Sequence, residues 1–95
     1  MPAYFVAVKN GVKDQAEMDL YGQKGAASMA GHEFRPLAIY GKIRSTDGPP
    51  TEGCVIIEFP TFEAAEAWYY GPGYQDAVQH RLKGGDYQTF IVDGL

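Results

Sequence analysis

The stretch that decides the fold spans residues 58–69 and reads Glu58-Phe59-Pro60-Thr61-Phe62-Glu63-Ala64-Ala65-Glu66-Ala67-Trp68-Tyr69. The apolar run that leads into it stops at Pro60, which has no amide hydrogen to donate to a sheet. Thr61 is a favourable N-cap, and the acidic Glu63 in the first turn interacts well with the helix dipole. The stretch therefore predicts a strand that passes directly into a helix.

A further helical segment follows after a short break. Pro72 suits the first position of a helix, and the pair Gly84-Gly85 ends it. The segment is amphipathic, with one polar arc and one apolar arc. The apolar arc consists of Tyr74, Ala77, Val78, Arg81 and Leu82.

Four apolar runs predict strands, over residues 3–8, 33–44, 54–59 and 87–92. Because Pro36 cannot donate to a sheet ladder, the second strand is expected at an edge of the sheet or with a bulge at this residue. The third run is uninterrupted, which is typical of a central strand with both faces covered. The turn residues at 46–50 join the second and third strands as a hairpin.

The predicted order of elements is βαββαβ, with the first helix over residues 14–30 and Asp14 as its cap. Right-handed crossovers close this order into a four-stranded antiparallel sheet with helices on one face. The fold class is therefore α+β, with the ferredoxin-like arrangement. A chain of 95 residues has room for one domain, which we expect to span residues 1–95.

The first predicted helix carries glycines on its apolar arc, which comprises Met18, Tyr21, Gly22, Gly25 and Met29. Glycine has no Cβ, so a backbone or a ligand can approach this arc closely. The alternative is that the helix breaks near Gly25, because each glycine costs about 1 kcal/mol relative to alanine.

Composition excludes several classes of function. The net charge is −4 and there is no basic stripe, so we expect no nucleic-acid partner. The lone Cys54 excludes an internal disulfide and a CxxC motif. The apolar residues 3–8 are too few for a signal peptide or a membrane span, so we expect no membrane partner and a cytoplasmic, reducing setting.

Residues in the second half of the chain resemble a known family. They are Ile57 to Tyr69, Pro72, Tyr74-Gln75, Arg81 and the closing Val92-Asp93-Gly94. This pattern resembles the DUF1330 family of small uncharacterised proteins. The resemblance implies a dimeric α+β barrel, in which two ferredoxin-like sheets pack face to face. Relatives in that group include cofactor-free monooxygenases, small-molecule isomerases and heme-degrading enzymes.

The sequence departs from the family pattern in three places. Gly71 and Gly73 stand where a Ser-Pro-Glu helix start is usual, so the second segment begins without a side-chain cap. His32 replaces the second residue of a usual Gly-Gly pair, and the segment around Arg35-Pro36 is longer than usual. Where heme-degrading relatives carry their axial histidine, this chain has Val78, so heme degradation is disfavoured.

Arg81 and Glu58 are the candidate catalytic residues. A guanidinium on an apolar arc must find a partner, either a structural carboxylate or carbonyl, or a ligand carboxylate or enolate. Glu58 lies in the most apolar strand, where it either forms a structural ion pair or serves as a general base. Alternation alone does not tell whether Glu58 faces the helices or a partner subunit.

Tyr21, Trp68 and Tyr74 are the candidate ligand-binding residues, and they are expected around a cleft between the first helix and the sheet. His32 and His80 are both expected to be solvated surface histidines. No histidines or carboxylates stand at metal-ligand spacing on one helix face, so we predict no metal site. We also expect no heme, flavin or other cofactor.

Two functions remain open. The first is a cofactor-independent, monooxygenase- or isomerase-like enzyme that acts on a small aromatic or carbonyl-bearing molecule. The alternative is a non-catalytic module that binds or senses a small ligand. In both cases the expected assembly is a homodimer formed through the sheet face, because strands that are apolar on both faces leave one face uncovered.

Overall fold

The computed structural model describes all of residues 1–95. The elements along the chain are β1 (Ala3–Val12), α1 (Gln15–Ser28), β2 (Arg35–Ile39), β3 (Gly53–Phe59), α2 (Phe62–Tyr69), α3 (Pro72–Gly84) and β4 (Gly85–Asp93). The strands form one antiparallel sheet in the order β2-β3-β1-β4. This topology confirms the predicted ferredoxin-like α+β fold, and it places β3 at the centre of the sheet.

The helices begin where the sequence predicts. The Asp14 carboxylate accepts hydrogen bonds from the first turn of α1, and the Thr61 hydroxyl accepts one from the Ala64 amide at the start of α2. At the start of α3, the N-cap residue is Gly71, which has no side chain to form a capping hydrogen bond, as the sequence predicts. Helix α1 continues through Gly25, so the alternative of a break there is wrong. None of the helices combines the length and apolarity needed to span a bilayer.

Strand β2 is shorter than predicted, since only Arg35–Ile39 of residues 33–44 pairs with β3. Pro36 does lie on the edge strand, and the pairing register shifts just after it. The strand ends because Tyr40 adopts a left-handed backbone conformation with φ of 51°, which is incompatible with an extended chain. Gly53 makes room for the Tyr40 ring, because a Cβ at Gly53 would lie 2.7 Å from Tyr40 Cδ1.

The two faces of the sheet differ in what covers them. Phe5 and Ile57 pair in register on the face that α2 and α3 cover, and both are buried. Trp68 of α2 anchors this core, with ring centroids 5.0 Å from Phe5 and 5.4 Å from Phe59. Aromatic contacts of this kind contribute about 0.5–1.5 kcal/mol each beyond the burial of area.

The other surface of the sheet, here called the open face, has no covering element. Val6 lies opposite Ile56 on β3 and opposite Phe90 on β4, so these apolar side chains are neighbours. Phe90 and Val92 are exposed.

Helix α3 packs beside α1, and this corrects two expectations. His80 is not a solvated surface histidine, because its Nδ1 lies 2.6 Å from Glu17 Oε2 on α1 and its Nε2 is buried without a partner. Its arc is polar but faces a neighbouring helix rather than water. Leu82, predicted on the packed arc, is 64% exposed because the buried stripe continues from Arg81 to Gly84 and leaves Leu82 to one side. His32 is exposed, as expected.

Candidate functional site

A cavity of about 390 Å³ lies between α1 and the covered face of the sheet. Its size falls within the range of about 300–1,000 Å³ that is typical of small-molecule sites. Hydrophobic residues make up 12 of the 15 lining residues, and none of the 15 carries a carboxylate, an imidazole or an ammonium group. The lining includes the three predicted ligand-binding residues, Tyr21, Trp68 and Tyr74.

The glycines of α1 form part of the cavity wall, as their shared arc predicts. Gly22 and Gly25 line the cavity together with Tyr21 and Met29. A Cβ at Gly22 would meet nothing within 4 Å, and one at Gly25 would meet only the Tyr21 ring, at 3.9 Å. The two glycines therefore enlarge the cavity rather than permit a close helix–sheet contact.

Trp68 and Tyr74 fix the floor of the cavity. Their ring centroids are 4.3 Å apart, and both side chains are buried. Trp68 Nε1–H donates to the Ser28 hydroxyl across 3.1 Å, and Ser28 in turn donates to the Gly25 carbonyl. These bonds tie the indole to the last turns of α1, so the floor and the glycine wall are held together.

Arg81 lies behind this floor, buried to 5% exposure. No carboxylate oxygen lies within 4 Å of its guanidinium, which corrects the expectation of an acidic or carbonyl partner. Instead Nη1–H donates to the Tyr74 hydroxyl across 2.9 Å. The guanidinium carbon lies 5.9 Å from the ring centroid of Tyr21 and 5.7 Å from that of Tyr87, within the range of cation–π contacts.

Four tyrosines, here called the tyrosine cluster, are connected to Arg81: Tyr74 by a hydrogen bond, Tyr21 and Tyr87 through their rings, and Tyr40 through its bond to Tyr87. The hydroxyl oxygens of Tyr21 and Tyr74 are 2.7 Å apart, and so are those of Tyr40 and Tyr87. The cluster therefore consists of two hydrogen-bonded phenol pairs, one between Tyr21 and Tyr74 in the cavity lining and one between Tyr40, which follows β2, and Tyr87 of β4.

The tyrosine cluster does not neutralise Arg81. Burial raises the pKa of Tyr74 and of Tyr87 well above the ordinary tyrosine value, and raises that of Tyr40 as well. These phenols are therefore neutral at physiological pH. Burial by itself lowers the pKa of Arg81, but the phenol oxygens of Tyr74 and Tyr21 favour its charged form, and the net direction is upward. The result is a buried positive charge that is held by neutral phenols and has no negative partner.

Glu58 lies on the opposite side of the sheet from Arg81. It stands beside Tyr4 in register, on the open face, and its Oε1 forms an ion pair with Arg35 Nη2 at 3.2 Å. The structure therefore brings Arg81, Tyr21, Trp68 and Tyr74 together and leaves Glu58 outside the group. Its strand face, which the sequence left open, is the one turned away from the helices.

Sequence reasoning missed the pair formed by Tyr40 and Tyr87. The two residues are 47 positions apart, and each was assigned to a predicted strand without a role. No local pattern marks them, because their proximity depends on the sheet order and on the turn of the backbone at Tyr40.

Comparison of the sequence with known protein families assigns the chain to one family. The family described as "Domain of unknown function (DUF1330)" matches residues 2–95, so the chain belongs to this family. Comparison with curated proteins found no match.

Solved structures with the same fold include three that differ in what is known of them. A protein of unknown function from Rhodopseudomonas palustris has a TM-score of 0.75 at 15% identity, covering 99% of this chain and 82% of its own. SnoaB from Streptomyces nogalater, a cofactor-independent oxygenase, has a TM-score of 0.65 at 14% identity, covering 99% and 93%. A dimeric protein of unknown function with a ferredoxin-like fold, from Bacteroides fragilis, has a TM-score of 0.64 at 8% identity, covering 98% and 96%. At these identities the likeness shows the fold alone.

Proposed function

For this member of the DUF1330 family, we propose that the cavity beneath α1 binds a small aromatic or carbonyl-bearing molecule, and that the protein acts on it as a cofactor-independent enzyme of the monooxygenase or isomerase type. The observation that carries the proposal is the buried, unpaired charge of Arg81 directly behind an apolar cavity. A structural arginine is normally paired when buried, whereas a site residue keeps its charge for a ligand.

The residues of the site have distinct roles in this proposal. Arg81 stabilises negative charge that develops on the bound molecule, acting through its hydrogen bond to Tyr74 and the bond from Tyr74 to Tyr21. Trp68 and Tyr74 supply a flat aromatic floor, and Tyr21 supplies the adjacent wall. Glu58 has no part in the cavity and belongs to the open face.

The likeness to SnoaB supports the enzymatic form of the proposal by fold analogy. That protein is a cofactor-independent oxygenase with the same fold, so this fold can house such an activity. The proposal includes no heme, flavin or metal. A Soret or flavin absorbance band in the purified protein, or stoichiometric metal by elemental analysis, would contradict it.

A second function, non-catalytic binding or sensing, is favoured by one specific observation. The lining of the cavity has no carboxylate or imidazole that can serve as a general base. An enzyme at this site must therefore rely on the acidity of its substrate or on the tyrosine hydroxyls. A binding module needs neither.

We further propose that the protein is a homodimer whose copies pack through the open face. Val6, Ile56, Phe90 and Val92 form an apolar surface there that a single chain leaves in water. Contiguous apolar patches of this kind mark interaction sites. The Bacteroides fragilis relative is described as dimeric, which supports the proposal by fold analogy.

A thermal-shift screen against phenols, enols, quinones and small carbonyl compounds tests the proposed function. The matched control is Gly25→Leu, which fills the cavity from a position that has room for a side chain. We expect a subset of compounds to stabilise the natural protein and not the variant. Compounds that bind are then incubated with the protein in air and under nitrogen, and product is measured by mass spectrometry. If no compound stabilises the natural protein in a cavity-dependent way, the proposal is wrong; binding without any product favours the sensing function.

A further inference from the structure

We infer that the Tyr21 hydroxyl is the polar anchor of the cavity, and that it binds a single negatively charged oxygen, as in a phenolate or an enolate. The inference rests on the proposed function in taking the cavity as the ligand site. It goes further by assigning the donor, the charge of the ligand and the number of oxygens that are recognised.

The direction of the hydrogen bonds follows from Arg81. A guanidinium can only donate, so the Tyr74 oxygen accepts from Nη1. Tyr74 is 1% exposed, so its own proton needs a protein acceptor, and Tyr21 Oη at 2.7 Å is the acceptor available. The reverse direction leaves the Tyr74 proton buried without a partner, which is unfavourable. The chain therefore runs from Arg81 to Tyr74 to Tyr21.

The last proton of this chain points to no protein atom. Tyr21 Oη has Tyr74 as its only hydrogen-bond partner, and in this direction it accepts from Tyr74. Its own O–H is left free, on a side chain that lines the cavity. Consecutive hydrogen bonds that start from a cation polarise one another, so this hydroxyl is a stronger donor than an isolated phenol.

The chain donates protons rather than ionising. Burial holds the pKa of Tyr74 above its ordinary value, so the middle hydroxyl keeps its proton at neutral and mildly alkaline pH. The positive charge of Arg81 therefore raises the electrostatic potential at the cavity, where a bound anion supplies the counter-charge that the protein lacks.

The rest of the lining selects the kind of anion. A carboxylate has two charged oxygens and needs several donors, whereas Tyr21 offers one hydroxyl in a largely apolar lining. A phenolate or enolate carries its charge on one oxygen and on a flat apolar body. That body fits the space over Gly22 and Gly25, against the ring of Trp68.

Besides Tyr21 and Tyr74, the lining contains one more tyrosine, Tyr40, but the direction of its hydrogen bond is not determined in the same way. It pairs with Tyr87, whose ring faces the guanidinium without a hydrogen bond to it. Arg81 therefore does not set the direction of the hydrogen bond between Tyr40 and Tyr87. Tyr40→Phe serves as a comparison in the test.

The test uses 4-nitrophenol, whose ionisation is visible by absorbance, and 4-nitrotoluene, a neutral molecule of nearly the same shape. Each is titrated with the protein, and the pKa of bound 4-nitrophenol is read from absorbance against pH. We expect this pKa to fall by about one unit or more on binding, as is typical beside a buried cation. Tyr21→Phe should abolish the shift and weaken phenolate binding by about tenfold, while 4-nitrotoluene binds both proteins equally.

Controls separate the possible failures. Tyr70→Phe alters a tyrosine that is 69% exposed and outside the cavity, and it should leave both probes unaffected. Tyr74→Phe interrupts the same chain and should also abolish the shift, which keeps the test valid if Tyr21→Phe does not fold. An unchanged pKa on binding, or a shift that survives in Tyr21→Phe but is lost in Tyr40→Phe, overturns the inference and leaves the proposed function standing. If neither probe binds the natural protein, the inference is overturned, and the proposed function fails with it only if no compound of the thermal-shift screen binds in a cavity-dependent way.

Discussion

The covered and open faces of the sheet are built from similar side chains, yet they meet different surroundings. Phe5 and Ile57 on the covered face are 2% and 8% exposed, whereas Phe90 and Val92 on the open face are 46% and 44% exposed. The covered face excludes water with helices and encloses the cavity. The open face has the composition of a buried surface without a cover, which is why we assign it to a second copy of the chain.

The two arginines nearest to these faces show the same contrast. Arg35 forms an exposed ion pair with Glu58 on the open face, a type of contact that contributes about 0–1 kcal/mol. Arg81 is buried behind the cavity and contacts only phenols. An arginine that serves structure alone has little reason to be buried without an acid, so the comparison points to Arg81 as the functional cation.

The largest expected effect is on the covered face. Trp68→Ala removes the residue that joins the floor of the cavity to α1, and it should lower the free energy of unfolding by about 3–5 kcal/mol. Urea denaturation at fixed protein concentration measures the change. Tyr70→Ala, two residues along the chain and exposed, is the control and should lower it by no more than about 1.5 kcal/mol, because its one aromatic contact is with Tyr69. Equal effects of the two substitutions would show that the core is not where we place it.

On the open face, a charge should act on assembly rather than on folding. Phe90→Lys places an ammonium in the proposed interface, and it should raise the dimer dissociation constant by about a hundredfold or more, because an unpaired buried charge is costly. Light scattering over a dilution series measures this. Leu82→Lys, on the exposed side of α3, should leave assembly unchanged. A natural protein that is already a monomer at micromolar concentration would refute the assignment of the open face.

A smaller effect sharpens the account of the cavity. Gly22→Ala should raise the free energy of unfolding by about 1 kcal/mol, since alanine favours the helix and its Cβ meets nothing within 4 Å. Gly31→Ala is the matched opposite, because Gly31 also has free space but a φ of 82°, so alanine there should destabilise by about 1–2 kcal/mol. Thermal and chemical denaturation distinguish the two signs. Destabilisation by Gly22→Ala would mean that the space over α1 is filled.

The smallest expected effect is a pH dependence of stability caused by Tyr87, which is absent at neutral pH and begins above about pH 10. The pKa of Tyr87 is raised in the folded protein, so below about pH 10 it is protonated in both the folded and unfolded states. As the pH rises further, the unfolded state loses this proton and the folded state does not, so stability falls by up to about 1.4 kcal/mol per pH unit for each such group. Tyr87→Phe should reduce this slope. A slope that is identical in the variant would show that Tyr87 is not held neutral by the fold.

The sequence predicts the features that depend on neighbouring residues. Asp14 and Thr61 cap helices because a short side chain with an oxygen can accept hydrogen bonds from the amides of the first turn. Pro36 lies on an edge strand because proline has no amide hydrogen to donate to a neighbouring strand. The glycine arc of α1 predicts a wall with room beside it.

The sequence does not predict the features that depend on contacts between residues far apart in the chain. Periodicity assigns His80 to a polar arc but does not show that α1 packs against that arc through Glu17. Alternation along the strand places Glu58 on the face opposite Ile57 and Phe59 without telling which face the helices cover. The phenol partner of Arg81 follows only from the folded arrangement, because the sequence marks Arg81 as anomalous and is silent about what lies beside it.

The central claim is that the charge of Arg81 serves the ligand and not the fold, and Arg81→Met tests it most directly. Methionine keeps much of the apolar stem and removes the charge. We predict that the free energy of unfolding changes by less than about 1 kcal/mol, because the Tyr74 hydroxyl that loses the bond from Arg81 keeps its hydrogen bond to Tyr21 and is not left without a partner. On the same preparation, the lowered pKa of bound 4-nitrophenol should return to its value in buffer. A loss of about 2 kcal/mol or more in the free energy of unfolding, with the pKa of the bound probe still lowered, would contradict the account and make Arg81 a structural residue.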